Sequence, residues 1–301
     1  FYELDADGNL EDIGFDIGVD LVTGGRGAIA LPLVSDKMDI FAANERGVNF
    51  LFRNLGDGTY REEAHEHQIA DPDEHGRGIS YLDSTGNGRF DIVYGNWEGP
   101  HRFYIQGEDG IFIEKASEAM AEPSKIRTVI AADFDNDGYE EIFFNNLGQP
   151  NRLFRQVDGE WVLADIGEAA EPDGFGTGAA VADLDGDGRL ELLIAHGEMV
   201  AQPLTLYQTA ANDNYWLRVL PRTRFGAPAR GAVVEMEAGG RVQKRAIDAG
   251  SGYLCQMEPV AHFGLGKVET VEKITVKWPD GASRSLETPE VCQLIEIAYP
   301  D

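Results

Sequence analysis

Apolar residues fall along this chain in short runs of four to six, separated by Gly, Asp and Asn. Runs such as Val129–Ala132, Ile142–Asn145, Asn151–Arg155 and Glu160–Ala164 are bounded by turn residues. That pattern predicts strands, because a helix would need an apolar stripe at 3.6-residue spacing over ten or more positions. No such stripe is present. The runs also repeat. Leu82-Asp83-Ser84-Thr85-Gly86-Asn87-Gly88-Arg89-Phe90-Asp91-Ile92 aligns with Ala132-Asp133-Phe134-Asp135-Asn136-Asp137-Gly138-Tyr139-Glu140-Glu141-Ile142. It aligns again with Ala182-Asp183-Leu184-Asp185-Gly186-Asp187-Gly188-Arg189-Leu190-Glu191-Leu192. The leading Asp recurs at 83, 133 and 183, fifty residues apart each time, and a degraded copy occupies Pro32 to Ile40.

Between these landmarks lie Phe1-Tyr2, Leu51-Phe52, Phe103-Tyr104, Leu153-Phe154 and Leu206-Tyr207. Most are followed by an Asp-Gly turn, at Asp7-Gly8, Asp57-Gly58, Asp109-Gly110 and Asp158-Gly159. Four short strands per fifty-residue unit are the signature of a propeller blade. The expectation is an all-β chain: a small propeller of about four four-stranded blades over residues 1–211, then a small β-rich domain over 212–301. The first unit opens at a third-strand landmark, so closure of the ring is expected to come from pairing the N-terminal strands with the last unit, which would protect the strand edges.

The repeated loops carry the candidate chemistry. Asp133, Asp135, Asp137 and Glu141 stand at loop positions one, three, five and nine, with the Tyr139 carbonyl available at seven. Asp183, Asp185, Asp187, the Arg189 carbonyl and Glu191 repeat the set. Hard oxygen donors packed this closely repel one another without a cation. Ca²⁺, with six to eight oxygen ligands in flexible geometry, suits such a loop better than Mg²⁺. Zinc would call for His or Cys. The Asp83 copy is thinner: Thr85 and Asn87 replace two carboxylates, leaving Asp83 and Asp91 with the Arg89 carbonyl, so it should bind less tightly or not at all. An EF-hand would end in Glu at position twelve between helices, and here position twelve is Phe144 or Ile194.

Composition sharpens this reading. Of 301 residues, 53 are acidic and 25 are Lys or Arg, a formal charge of −28 that argues against a nucleic-acid partner. Residues 1–211 carry 41 acids and 14 bases, whereas 212–301 carry 12 and 11, and that step marks a joint near Ala210–Asp213. Only eight of those 41 acids belong to the two full loops. No apolar run approaches the ~20 residues that span a bilayer. Cys255 and Cys292 could be bridged or could be two buried thiols.

The loops resemble the FG-GAP/VCBS β-propeller repeat, shared in outline with integrin α-subunit propellers. In the second part Gly231-Ala232-Val233-Val234-Glu235, Ala249-Gly250-Ser251-Gly252-Tyr253-Leu254, His262-Phe263-Gly264-Leu265-Gly266 and Val276-Lys277-Trp278-Pro279-Asp280-Gly281 resemble, in that order, the ASPIC/UnbV domain. Together they are similar to the cartilage acidic protein 1-like family. The resemblance implies a secreted or periplasmic Ca²⁺-binding scaffold, monomeric, that recognises a protein or glycan partner. By analogy, an alternative is a carbohydrate-active enzyme of lyase or dehydratase type with its site in the propeller mouth. Its candidates are His101 and His196, which with Asn96 follow second strands; His65 and His67 share a face if their segment is a strand and could then bind a transition metal, or belong to a solvated acidic segment. No Gly-x-Ser-x-Gly elbow, Walker loop, Rossmann fingerprint or His-Glu-x-x-His helix occurs. Trp97, Trp161, Phe175 and Trp216 are candidates for stacking on sugars, or for ordinary core packing.

Overall fold

The computed structural model describes residues 1–248 and 250–300, which leaves Ala249 of the tail motif and the last residue outside the description. It is an all-β protein of consecutive antiparallel meanders. The chain opens with a separate pair, β1 (Tyr2–Leu4) and β2 (Leu10–Asp12), followed by one helical turn, α1 (Gly14–Ile17). The first blade is β3 (Gly25–Leu31), β4 (Asp39–Asn44), β5 (Phe50–Asn54) and β6 (Tyr60–Glu62). The second is β7 (Gly76–Leu82), β8 (Asp91–Asn96), β9 (Arg102–Gln106) and β10 (Phe112–Glu114). After the turn α2 (Glu118–Ala121) comes the third: β11 (Ile126–Ala132), β12 (Glu141–Asn146), β13 (Arg152–Val157) and β14 (Glu160–Ala164). The fourth sheet, β15 (Gly176–Ala182), β16 (Glu191–His196) and β17 (Thr205–Gln208), has three strands.

The expected pairing of the N-terminal strands with the last unit does not occur. Among the described residues β1 and β2 pair only with each other, with Tyr2 opposite Asp12, and β17 ends its sheet. Both strands of that hairpin are exposed throughout, so they bring no buried face to a neighbouring sheet.

The blades pack through their first strands. β7 and β11 are buried at almost every position, on both faces, which explains why these segments read as continuous small and apolar runs instead of alternating ones. Glycine is required where one first strand meets the next: a Cβ on Gly78 would lie 2.5 Å from the Arg127 carbonyl oxygen. Apolar clusters fill the spaces between blades. Leu82, Val93, Phe103, Val129, Ile142, Phe144 and Phe154 form one between the second and third; Ile130, Phe143, Ala179, Leu192 and Ile194 form one between the third and fourth.

The C-terminal part consists of β18 (Tyr215–Pro221), β19 (Val233–Ala238), β20 (Arg241–Ala246), β21 (Ala261–Gly266), β22 (Val271–Lys277), β23 (Ser283–Glu287) and β24 (Leu294–Ile297). They make two sheets, in order β21-β18-β24 and β20-β19-β22-β23, around a core that includes Leu217, Met236, Phe263, Ile274 and Trp278. This part is welded to the blades. Val233 and Ala246 belong to the apolar cluster of blades one and two, and Met257 packs on that of blades three and four. The connection from β20 to β21 crosses all four first strands in turn. Gly250 lies against Ala28, Gly252 exchanges two backbone hydrogen bonds with Ile79, and Thr128 donates its hydroxyl to the Tyr253 carbonyl. The Val181 amide then meets Met257 Sδ, and the Asp183 amide donates to Glu258.

Candidate metal centre

Each loop joins the first two strands of its blade, and its carboxylates are placed by backbone amides. The first acid of the loop accepts the N–H of the sixth residue: Asp83 from Gly88 at 2.9 Å, Asp133 from Gly138 at 2.9 Å, Asp183 from Gly188 at 3.0 Å. The acid at loop position nine accepts the N–H of the second residue: Asp91 from Ser84 at 3.2 Å, Glu141 from Phe134 at 2.9 Å, Glu191 from Leu184 at 2.7 Å. The sixth residue must be glycine because φ is positive there, +82° at Gly188, where a Cβ would also fall 1.8 Å from the Trp216 indole.

Two loops then bring three carboxylates together. Ligand oxygens of Asp133, Asp135 and Glu141 all lie within 4.8 Å of one another, and so do those of Asp183, Asp185 and Glu191. In blade three this grouping is buried and unbalanced. Asp133 Oδ2 takes the amides of Gly138 and Gly264, while Asp133 Oδ1 is buried with no hydrogen-bond partner. Burial pushes the Asp133 carboxyl up to about 8, against the pull of Arg245 and helped by Asp137 and Asp135. Burial, then the charges of Asp133 and Asp135, push Glu141 up to about 10. A buried acceptor without a partner is costly, and a cluster of such groups fits a hard cation that satisfies the orphan oxygen and keeps all three acids ionised. Asp137 and Asp187 stand outside these groupings: Asp137 Oδ1 accepts from the Tyr139 amide, and Asp187 is taken by its neighbour Arg189.

Blade four differs in its counter-charge. Arg218, from β18, donates to Asp183 Oδ2 at 2.9 Å and also engages Glu258. In the second blade Asp91 is satisfied by protein groups alone, from the Ser84 amide and hydroxyl and the Gln106 amide, and with Asp83 it offers two carboxylates. Burial raises Asp91 to about 6. Asn87 Oδ1 accepts from the Arg89 amide, and Thr85 lies on the exposed tip. The degraded first loop explains itself. Asp39 accepts from the amides of Leu33, Val34, Ser35 and Asn54 and from the Ser35 hydroxyl, so a lone carboxylate organises that turn.

Sequence reasoning missed the partners supplied by the C-terminal part. The C-terminal part supplies donors to two of the three equivalent glycine carbonyls, Lys244 Nζ to Gly88 and Arg241 to Gly138, whereas Gly188 is held by Asn136 Nδ2 of the blade-three loop. The blade-three loop is held most fully. His262 Nε2 pairs with Asn136 Oδ1 at 2.7 Å, Gly266 N donates to the Asn136 carbonyl, and Asn212 and Asn214 both donate to the Asp135 carbonyl. The one available signal was the near balance of acids and bases after residue 211; it says that bases are present and gives no address for them.

The histidine candidates take structural places. Residues 64–68 are turn, not strand, so His65 and His67 share no strand face; His67 bonds Glu63 and the Gly110 carbonyl instead. His101 is buried between the Asn96 amide and the Ser124 hydroxyl, and His196 spans the Pro203 carbonyl and Glu171. Cys255 and Cys292 are both free thiols, one half-buried and one exposed, so neither the bridge nor a pair of buried thiols is formed.

Among the described residues no helix is long and apolar enough to cross a membrane. Residues 83–144 and 133–194 match the FG-GAP-like repeat, and residues 223–301 match the ASPIC and UnbV family. Cartilage acidic protein 1 of Homo sapiens is 48% identical over 310 residues, covering 97% of this chain and 46% of the relative. The Mus musculus protein is 48% identical, and the Xenopus tropicalis protein 47%, at 97% of this chain and 48% and 47% of theirs. The chain therefore spans about half the length of the relatives it matches. Solved structures that resemble it overall are distant: an AofleA mutant from Arthrobotrys oligospora (TM-score 0.42, 8% identity, 93% of this chain and 92% of that one) and an Aleuria aurantia lectin mutant with Fucalpha1-6GlcNAc (TM-score 0.38, 10% identity, 90% and 98%). The repeats, the tail and the half-identical relatives place the chain in the cartilage acidic protein 1-like family, an FG-GAP-repeat propeller joined to an ASPIC/UnbV domain.

Proposed function

We propose that this protein is an extracellular calcium-binding scaffold, residues 1–211 forming the blades and 212–301 a clasp, that presents its surface to a protein or glycan partner. The observation that carries the metal reading is the buried, partnerless Asp133 Oδ1 beside Asp135 and Glu141. Calcium would supply charge neutralisation and coordination there, with Asp137 and the Tyr139 carbonyl available as further oxygen donors. Asp183, Asp185 and Glu191, with Asp187 and the Arg189 carbonyl, would hold a second ion; Asp83, Asp91, Thr85, Asn87 and the Arg89 carbonyl would form a weaker third site. The role of the ion is structural: it fixes the link between the first two strands of a blade, and by mass action it stabilises the folded state. Extracellular calcium modules bind at roughly 10⁻⁴–10⁻³ M, and structural sites of that kind suit an environment outside the cell.

Calorimetric titration of the chelated protein tests this. Two sites are expected, with a weaker third, and Asp135→Ala and Asp185→Ala should each remove one. Heats unchanged in both variants would overturn the ligand assignment.

A further inference from the structure

Of the four aromatic side chains offered for sugar stacking, three are committed elsewhere. Trp97 lies between Arg77 and Arg127, their guanidinium carbons 5.3 and 4.2 Å from its ring centre. Trp216 packs on Gly188, and Phe175 on Gly148. Trp161, on β14, is different: half-buried, it forms part of the wall of an open cleft of about 830 Å³. That volume falls in the range of small-ligand sites, roughly 300–1,000 Å³. The cleft lies between the Asp83 loop and outer strands of blade two, with Lys115 just after β10, the loop and outer hairpin of blade three, and the β19–β20 hairpin of the C-terminal part.

Its chemistry is unlike the rest of the molecule. The chain carries 53 acids against 25 bases, yet the cleft is lined by Lys115 and Arg241 against the single acid Glu160. Among the described residues neither base forms an ion pair. Lys115 is exposed, its position fixed by a 2.7 Å bond from its amide to the Phe103 carbonyl. Arg241 lies 3.8 Å over the Tyr139 ring, its fork turned to the Gly138 carbonyl, and its charge reaches Asp137 as well. The indole of Trp161 is held edge-on by the buried Phe103, ring centres 5.3 Å apart at 80°. Its orientation is set before any ligand arrives, which lowers the ordering cost of binding. At the rim Thr85 adds an exposed hydroxyl, while Gln156 donates its amide to the Ser84 carbonyl and keeps its own oxygen as an acceptor.

A fixed indole face, an exposed lysine without an ion-pair partner among the described residues, an arginine beside it and a polar rim together fit a ring that is apolar on one face, hydroxylated at its edge and negatively charged. We propose that this cleft binds an acidic saccharide, its sugar ring on Trp161 and its carboxylate on Lys115 with Arg241 alongside. The proposal rests on the glycan-recognition reading above, which it deepens, and meets the metal loops only at their tips, at Ser84–Gly86 and Tyr139. Long-range repulsion from the acidic blades does not defeat it, because at physiological ionic strength screening confines such fields to about 8 Å, whereas the lysine contact is direct.

The test is a titration followed by tryptophan fluorescence and NMR, using tetragalacturonate, with maltotetraose as the neutral saccharide and tetraglutamate as an acidic peptide. Tetragalacturonate should bind about tenfold tighter than maltotetraose, as expected for one charge-assisted hydrogen bond, and tighter than tetraglutamate, which brings the charge but no sugar ring to lie on Trp161. Trp161→Ala and Lys115→Gln should each weaken it about tenfold. Lys115 is exposed, so Lys115→Gln carries the test even where the tryptophan variant folds poorly. Equal affinity for tetraglutamate, unchanged binding in Lys115→Gln, or no binding at millimolar saccharide would each overturn the proposal. Calcium calorimetry on the same samples separates the readings: normal metal heats with no saccharide binding sink this inference alone.

Discussion

At the scale of single residues, ionisation separates the metal centre from the rest of the interior. Burial holds His101 and His262 neutral, their affinities for a proton lowered to about 3 from an ordinary 6.5, with nearby arginines adding to the effect. A base whose folded pKa is depressed takes up fewer protons when folded, so its contribution is present above pH 6.5 and is lost as pH falls through 6.5 toward 3. Asp133 and Glu141 have the opposite sign. Their raised values, about 8 and about 10, mean that the cation-free folded state binds more protons than the unfolded chain, so stability is lost as pH climbs from about 4 toward those values. Above about pH 7.5, one unit over their unfolded value, the two histidines contribute little. From there chelated protein should lose melting temperature as pH rises, and calcium-saturated protein should not. Differential scanning calorimetry at about pH 7.5, 8 and 8.5 decides it; parallel slopes with and without calcium would mean that no ion holds these acids. Asp135→Ala should lower the melting temperature only in calcium, by about 2–4 °C for each kcal/mol of linkage lost.

At the scale of the loop and its blade, the same fifty-residue framework tolerates very different acids because backbone amides do most of the positioning. Asp39 alone organises the first turn, Asp91 and Asp83 the second, and three carboxylates each the third and fourth. The strands and loops were legible in the sequence because their determinants are local: an Asp-Gly turn, a positive-φ glycine, an acid at loop position nine. Residues expected at Glu160–Ala164 form that strand, and Val129–Ala132 is the inner part of β11. What distinguishes blade three from blade four was not legible. Arg218 neutralises Asp183 from 35 residues away in sequence, and nothing in the spacing of either segment announces the other. Removing one partner of a buried pair strands the remaining charge, at about 3–5 kcal/mol. Arg218→Ala should cost about that in chelator and markedly less in saturating calcium, where an ion balances Asp183. Urea unfolding under both conditions measures the difference, and an equal loss in each would show that calcium and Arg218 do not compensate for one another at this loop.

At the scale of the whole molecule, the propeller and the C-terminal part are joined through the very loops that would hold the ion. Their contacts link residues far apart in the chain, 126 positions between Asn136 and His262 and 165 between Tyr81 and Ala246, which is why sequence periodicity divided the chain in two without showing how the parts meet. Asp133 is the hinge of that junction. One of its oxygens accepts from Gly264 of β21 and the other is the partnerless atom of the metal centre. Withdrawing a cation leaves Asp133, Asp135 and Glu141 to relieve their repulsion by protonation or by opening the loop. An opening loop draws on Gly264 and on the Asn136 carbonyl that holds Gly266. Chelation should therefore accelerate amide hydrogen exchange at Gly264 and Gly266, in the C-terminal part, together with Gly138 in the blade. Asp135→Ala should reproduce the effect in calcium. Amides in the middle of β19 and β22, which pair inside the C-terminal sheet, should keep their protection. If Gly138 alone responds, the ion stabilises its blade but does not tie the two parts together.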